Sequence, residues 1–213
     1  MGIIRGRVLT IGHSILGSDA FLTMLENAKV TAIADVRSSP YSRRLPHFNQ
    51  DELRPALMRS GIKYVFLGKE LGGRPRAAHL YCNGVADYEK MVLEPGFLTG
   101  IDRVIAGSQD HKIALMCSER NPLDCHRCLL VGRSLSERGI SVGHILSNGH
   151  IAEQQDIEEQ LLALYNNATD DMFSTHEETV SRAYRLRANA VAYRDSQPEL
   201  EQPTSSNRHS YAR

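Results

Sequence analysis

Lys112-Ile113-Ala114-Leu115-Met116-Cys117 is the most strongly apolar run in the chain, and it stops abruptly at Ser118-Glu119-Arg120-Asn121-Pro122. Six residues are too few for a stable helix. An unalternating apolar run bounded by turn residues reads as a strand buried on both faces. Similar short runs occupy residues 8–11, ending at Gly12, then 30–36, 62–67 and 141–146. Helical patterns separate them. Ser18 caps a helix with Phe21, Leu22 and Leu25 on its apolar face. Asn49 caps another, with Asp51 and Glu52 in its first turn and Gly61 as its stop. Helices are predicted over 85–93 and 96–106. Another opens at Pro122 or Asp124 and runs to Arg138, with Gly139 after it. Residues 68–84, rich in glycine, read as loop. Strands joined by helical crossovers predict a parallel, Rossmann-like α/β sheet of about five strands, covered on both faces. Its strand order is not legible at this level.

This α/β domain spans 7–150. The pattern then changes to a helical extension over 151–195, with helices at 151–165 and 174–194 and no further strand. The polar stretch 196–213 reads as a disordered tail.

Composition limits the function classes. The chain has 213 residues, with 25 Lys and Arg against 25 Asp and Glu. A neutral protein is not a wholesale polyanion binder, although a local basic site remains open. No apolar stretch is long enough to span a membrane. The N-terminus lacks the apolar core of a signal peptide, so the expected location is cytoplasmic. The four cysteines, at 82, 117, 125 and 128, are then reduced thiols.

In a parallel α/β sheet, ligands bind beyond the C-terminal ends of the strands. Those ends are polar here: Thr10-Ile11-Gly12-His13-Ser14, Asp35-Val36-Arg37-Ser38-Ser39-Pro40, Gly68-Lys69-Glu70-Leu71-Gly72-Gly73-Arg74 and Cys117-Ser118-Glu119-Arg120. The loop 37–49 carries Arg37, Arg43 and Arg44 with no acid, interleaved with Tyr41, His47 and Phe48 and with Ser38, Ser39 and Ser42. Arginine forks match phosphate oxygens, and aromatic rings stack on bases. Arg120 and Arg127 add cations near Cys117 and a following helix start, a setting that favours anions or a thiolate.

Several sharper readings fail on spacing. No arginine lies six positions after any cysteine, so a cysteine-phosphatase loop is absent. There is no GxxxxGK[ST], no GxGxxG after the first strand and no HExxH. Cys125-His126-Arg127-Cys128 has redox-motif spacing but follows the wrong strand for that fold. Zinc on Cys117, Cys125 and Cys128 with Cys82 or a histidine rests on one CxxC without a second pair. Iron on Tyr, His and carboxylate is singled out by no spacing. No metal ligand is therefore assigned, and the cofactor stays open.

Together these motifs resemble the uncharacterised family called domain of unknown function 488. They include Thr10 to Ser14, Asp35 to Pro40 with Ser42-Arg43 and Phe48, and Gly61 to Tyr64. Leu67 to Arg74, Asp87-Tyr88, Leu115 to Glu119 and Cys125-His126-Arg127 complete the set. The likeness spans about 7–150. It implies a compact α/β domain with a cysteine-bearing polar cleft and supplies no activity.

The leading expectation is a cleft that binds, and acts as a hydrolase or transferase on, a phosphorylated ligand: a nucleotide or a nucleic-acid backbone. Arg37, Ser38, Ser39, Arg43, Arg74, Arg120 and Arg127 would hold the anion. Cys117 would be nucleophile or cleft-lining thiol, although an apolar strand end suits a core cysteine equally. Glu119 or Asp35 would be general base or arginine orienter, and His13 or His126 a proton carrier. Tyr64, Glu70 and Tyr88 are further titratable candidates. One competing expectation is a non-catalytic module that docks nucleic acid or an acidic partner on loop 37–49. Another is a metal protein. The C-terminal helices offer a surface for a homo-oligomer.

Overall fold

The computed structural model describes residues 6–169 and 174–195. The expected tail 196–213 lies outside the described residues. In chain order the elements are β1 (Arg7–Gly12), α1 (Ser18–Asn27), β2 (Ala32–Asp35), α2 (Gln50–Arg59), β3 (Lys63–Phe66), α3 (Gly68–Leu71), β4 (Tyr81–Cys82) and β5 (Val85–Ala86). They continue with α4 (Tyr88–Met91), α5 (Pro95–Asp110), β6 (Ile113–Cys117), a π-type helix (Arg127–Gly132) and α6 (Arg133–Ser136). The chain then forms β7 (Ser141–Ile145), β8 (Ile151–Glu153), α7 (Gln154–Thr169) and α8 (His176–Val191).

The main sheet has six strands in the order β3-β2-β6-β1-β7-β8. The first five are parallel, and β8 returns antiparallel to β7. β6 lies between β2 and β1, and all five of its residues are buried. That position is why its sequence is apolar without alternation.

The connections explain which face each helix covers. β1→β2→β3 steps one way along the sheet, and β3→β6→β7 steps back the other way. Right-handed crossovers then put α1 and α2 on one face and the later helices on the other. The buried clusters agree. Leu9, Ile11, Ile33, Ala114 and Met116 pack with Phe21, Leu25, Leu53 and Leu57 of α1 and α2. Val8, Ala32, Leu115 and Cys117 pack with Ile101, Val104, Leu129 and Leu135. Because the loops after β2 and β6 depart in opposite directions, a crevice opens between these adjacent strands.

Ile157, Leu161, Ala183 and Tyr184 of α7 and α8 belong to this second core, so the C-terminal helices cover the sheet of their own chain. A buried polar chain pins them. Thr10 Oγ1 and His144 Nδ1 lie 2.8 Å apart, and His144 Nε2 and Gln154 Oε1 also lie 2.8 Å apart. Gln154 Nε2 donates to Tyr184 Oη at 2.5 Å, and Tyr184 donates to Glu158 at 2.9 Å.

Four local expectations are corrected. Residues 151–153 are a strand, and the helix begins only at Gln154. The strand is just three residues long, too short to show its own period, and it is made by pairing with β7. Residues 68–84 hold α3, a 3-10 turn at Ala78–Leu80 and β4. Residues 85–86 pair with β4 before a shorter helix starts at Tyr88. The helix expected from Pro122 to Arg138 is a 3-10 turn at Pro122–Asp124, then the π-type helix, then α6.

Candidate functional site

A cavity of about 460 Å³ lies over the crevice between β2 and β6. That size suits a small ligand. The loop after β2 supplies Arg37, Ser38, Ser39, Tyr41 and Ser42, and the segment after α3 supplies Gly73 and Arg74. Tyr88 comes from α4. Cys117, Ser118, Glu119, Asp124 and His126 come from the strand end and loop after β6, and Val191 and Tyr193 close the C-terminal side.

One wall is built around Arg37. Asp35 and Arg37 are both buried, at 0% and 4% exposure. The Asp35 carboxylate accepts Arg37 Nε–H at 2.9 Å, Nη2–H at 2.6 Å and the Arg37 backbone N–H at 3.1 Å. Nη2 also donates to the Phe48 carbonyl at 2.8 Å, and Tyr64 donates its hydroxyl to Asp35 at 2.7 Å. Asp35 thus fixes the position of Arg37, with both carboxylate oxygens engaged by Arg37 and Tyr64. His13 stacks on Phe48 with ring centroids 4.2 Å apart. Its Nδ1–H donates to the Ser14 carbonyl, which leaves Nε2 to accept from Arg37 Nη1 at 3.4 Å. Burial, and then the charge of Arg37, lower its pKa to about 4. His13 lies behind Arg37 and is not among the residues that line the cavity.

A second part of the site is a cluster of two thiols, a carboxyl and an imidazole. The sulfurs of Cys117 and Cys125 lie 2.8 and 3.0 Å from Glu119 Oε2. His126 Nδ1 stands 3.7 Å from the Cys117 sulfur and 4.0 Å from that of Cys125. Its Nε2–H donates to the Val36 carbonyl at 2.9 Å, which turns Nδ1 toward the sulfurs. One donor atom from each of the four residues lies within 4.8 Å of all the others. Glu119 stands exposed at the mouth, while both sulfurs are buried.

The electrostatics separate the two thiols. Burial opposes ionisation of both. At Cys125, the hydrogen bond with Cys117, the charge of Arg127 and the contact with His126 outweigh burial, and its pKa falls well below the ordinary thiol value. Burial and then the interaction with Cys125 push Cys117 well up. Burial and then the charge on Cys125 raise Glu119. His126 is raised because its interactions with Cys125 outweigh its burial.

The other expected anion ligands divide. Ser38, Ser39 and Arg74 are on the cavity wall. Ser38 Oγ accepts the Arg74 backbone N–H at 2.9 Å, and the Arg74 guanidinium lies 4.8 Å over the Tyr193 ring. Arg43 is exposed and outside the cavity wall. Arg120 turns away to Ser147, at 3.0 Å. Arg127 is fully buried behind the cluster. It donates to the carbonyls of Glu119 at 2.6 Å and Arg120 at 3.1 Å, so it braces the loop from beneath. Glu70 pairs with Arg103, away from these walls.

Two glycines allow the close approaches. A Cβ on Gly12 would stand 1.9 Å from the Glu119 carbonyl oxygen, and one on Gly73 would stand 2.7 Å from the His126 ring. The C-terminal side is strapped down by main-chain bonds. Ala86 N–H donates to Tyr193 O at 2.9 Å, and Asp195 N–H donates to Gly84 O at 2.8 Å. Arg187 of α8 bonds the Leu123 carbonyl at 2.9 Å and pairs with Asp124.

Sequence reasoning joined Cys125 to Cys117 only in the zinc set it weighed and left it out of the catalytic set, and it missed Tyr193 altogether. The Cys125-His126 pair carried a signal in its spacing. Tyr193 carried none, because its place depends on how α8 folds back.

Among the described residues, no helix is long and apolar enough to cross a membrane. Searches of curated proteins and of solved structures found no match. A family model matches residues 18–133, which hold the whole Arg37 wall except His13 and the whole thiol cluster, and the chain belongs to that family, described as domain of unknown function DUF488.

Proposed function

We propose that the cavity binds a small phosphorylated ligand, of nucleotide size, and presents it to the Cys117–Glu119–Cys125–His126 wall for hydrolysis or group transfer. The observation that carries this reading is that one cavity is lined by both sets of groups. Arg37, Arg74, Ser38, Ser39 and Ser42 offer cationic and hydroxyl donors, and the cluster with the thiols, carboxyl and imidazole lines the same cavity. Arginine supplies paired donors matched to phosphate oxygens. Tyr41 and Tyr193, both exposed on the cavity lining, give flat surfaces for a base or sugar. All four cysteines are free thiols, which suits a reducing, cytoplasmic setting.

A thermal-shift panel of nucleotides, sugar phosphates and short oligonucleotides at low salt tests it. Binding at a hundred times Kd stabilises by about 2.7 kcal/mol, which displaces Tm by several degrees. Arg74→Ala, at an exposed position, is expected to remove the shift while lowering the unliganded Tm only slightly, through loss of its contact with Tyr193. No shift with any phosphate compound would overturn the reading.

A second reading has its own observation. Arg43 and Arg44 are exposed and, among the described residues, form no ion pair or side-chain hydrogen bond. They would extend the site along a nucleic-acid backbone. Oligonucleotide binding that weakens steeply with salt and with Arg43→Ala plus Arg44→Ala, yet ignores Cys117→Ser, would favour this docking role.

A further inference from the structure

We propose that Cys117, Glu119, Cys125 and His126 form a binding site for one zinc ion. It uses the same Cys117–Glu119–Cys125–His126 wall as the phosphate reading but none of the cavity's arginines or serines, so zinc retention and phosphate binding are read by separate variants.

The donor set has the composition and size of a zinc site. Two sulfurs, one imidazole nitrogen and one carboxylate oxygen lie within 4.8 Å of one another. With Zn–S bonds near 2.3 Å and Zn–N and Zn–O bonds near 2.0 Å, tetrahedral ligands are roughly 3.3–3.8 Å apart. The 3.7 and 4.0 Å separations from His126 Nδ1 to the two sulfurs are already close to that spacing. The Glu119 oxygen, at 2.8 and 3.0 Å from the sulfurs, would move outward by about half an ångström. Glu119 has room to do so, since it stands exposed at the cavity mouth.

The surroundings are those of a metal ligand set. A metal-bound histidine characteristically donates its other ring N–H to a carbonyl or carboxylate, which fixes ring and tautomer. His126 does this to Val36 at 2.9 Å. Behind the cluster lies Arg127, and its Nε is the one buried side-chain nitrogen or oxygen without a hydrogen-bond partner among the described residues. Two thiolates and a carboxylate around Zn²⁺ leave one negative charge, and the buried guanidinium offsets it. Binding forms two Zn–S bonds, one Zn–N bond and one Zn–O bond. Any protons on the thiols pass to solvent, and no electrons move.

The set differs from the zinc set weighed on sequence alone. Cys128 lies in the apolar core and Cys82 is exposed on the β4–β5 hairpin, so Glu119 takes the place of Cys128, and His126 is the histidine that set offered in place of Cys82.

The full chain is loaded with Zn²⁺, dialysed against metal-free buffer and analysed for metal. One equivalent is expected, against less than about a tenth for Cys117→Ser and Cys125→Ser. Cys82→Ser and Arg74→Ala should keep the full equivalent, so zinc retention is read separately from phosphate binding. Glu119→Gln should weaken zinc at least tenfold in a chelator competition. Co²⁺ in place of zinc should give thiolate-to-metal charge-transfer absorption and tetrahedral d–d bands. Wild type retaining less than a tenth of an equivalent, or cobalt bands without thiolate character, would overturn the proposal. These wild-type measurements decide it even where a cysteine variant fails to fold, as circular dichroism would show.

Discussion

Arg37 closes on Asp35 through two side-chain hydrogen bonds, at 2.6 and 2.9 Å, in a pair that is almost wholly shielded from water. A buried ion pair adds little over a well-packed apolar replacement, but removing one partner strands the other charge and costs about 3–5 kcal/mol. Arg37→Ala is therefore expected to lower unfolding stability by that amount. Asp35→Leu with Arg37→Met should cost much less than the single change. Urea denaturation of the wild type, the single and the double variant measures this. A loss below about 1 kcal/mol for Arg37→Ala would mean that the pair is open to water. The same logic makes Arg74, exposed and not buried in a pair, the better probe of anion binding.

Two buried histidines should make the protein acid-sensitive. Burial lowers His13 and His144 from 6.5 to about 4. At His13, the charge of Arg37 adds to this. His144 is wedged between Thr10 and Gln154 in the chain that pins α7 and α8. The folded state binds their protons less readily than the unfolded state does. Their contribution is thus present above pH 6.5 and is lost as pH falls from 6.5 toward 4. Each shift of this size removes about 2 kcal/mol by pH 5. Urea midpoints at pH 7 and pH 5 should differ accordingly, and His144→Gln should shrink the difference by about half. An equal pH dependence in wild type and His144→Gln would show that His144 is not held neutral.

The residues that were legible in the sequence are those whose chemistry contradicts their neighbours. Cys117 and Glu119 end an apolar strand, and Arg37 follows one, so strand-end logic placed them on one edge of the sheet. Adjacency in sequence says nothing about direction, however. Arg120 and Arg127 were equally attractive as anion ligands, yet one turns to Ser147 and the other is buried under the loop. Asp35 was open between base and orienter, because its pairing depends on the backbone turn that brings Arg37 back onto it. Strand order was illegible because β6 inserts between β2 and β1 through contacts distant in sequence. β8 was missed for a related reason: three residues acquire strand character from the partner they meet.

The four cysteines should separate by accessibility. Cys82 is exposed on the β4–β5 hairpin, while Cys117, Cys125 and Cys128 are buried. A bulky thiol reagent should label one site at once in the native protein, and mass spectrometry should place it on Cys82. Cys128, 0% exposed within the apolar core, should label only on unfolding. Cys82→Ser should abolish the fast phase. Rapid native labelling of Cys128 would mean that the helices covering it open readily.

Gly12 is expected to be the most sensitive small residue near the thiol cluster. It ends β1 opposite Cys117 and lets the Glu119 carbonyl pass within what would be 1.9 Å of a Cβ. That carbonyl also accepts from Arg127 at 2.6 Å, so the oxygen is held from behind and cannot simply swing away. Gly12→Ala must displace the 119–120 loop, break its bond to Arg127, or both. Overpacking alone costs about 1–3 kcal/mol, and a buried charged donor left without its acceptor adds about as much. The expected result is a stability loss of more than about 2 kcal/mol. Gly17→Ala serves as the control, because nothing lies within 4 Å of its added Cβ. It should change the urea midpoint only slightly. Equal stability of the two variants would show that the loop carrying Glu119 is not clamped between Gly12 and Arg127.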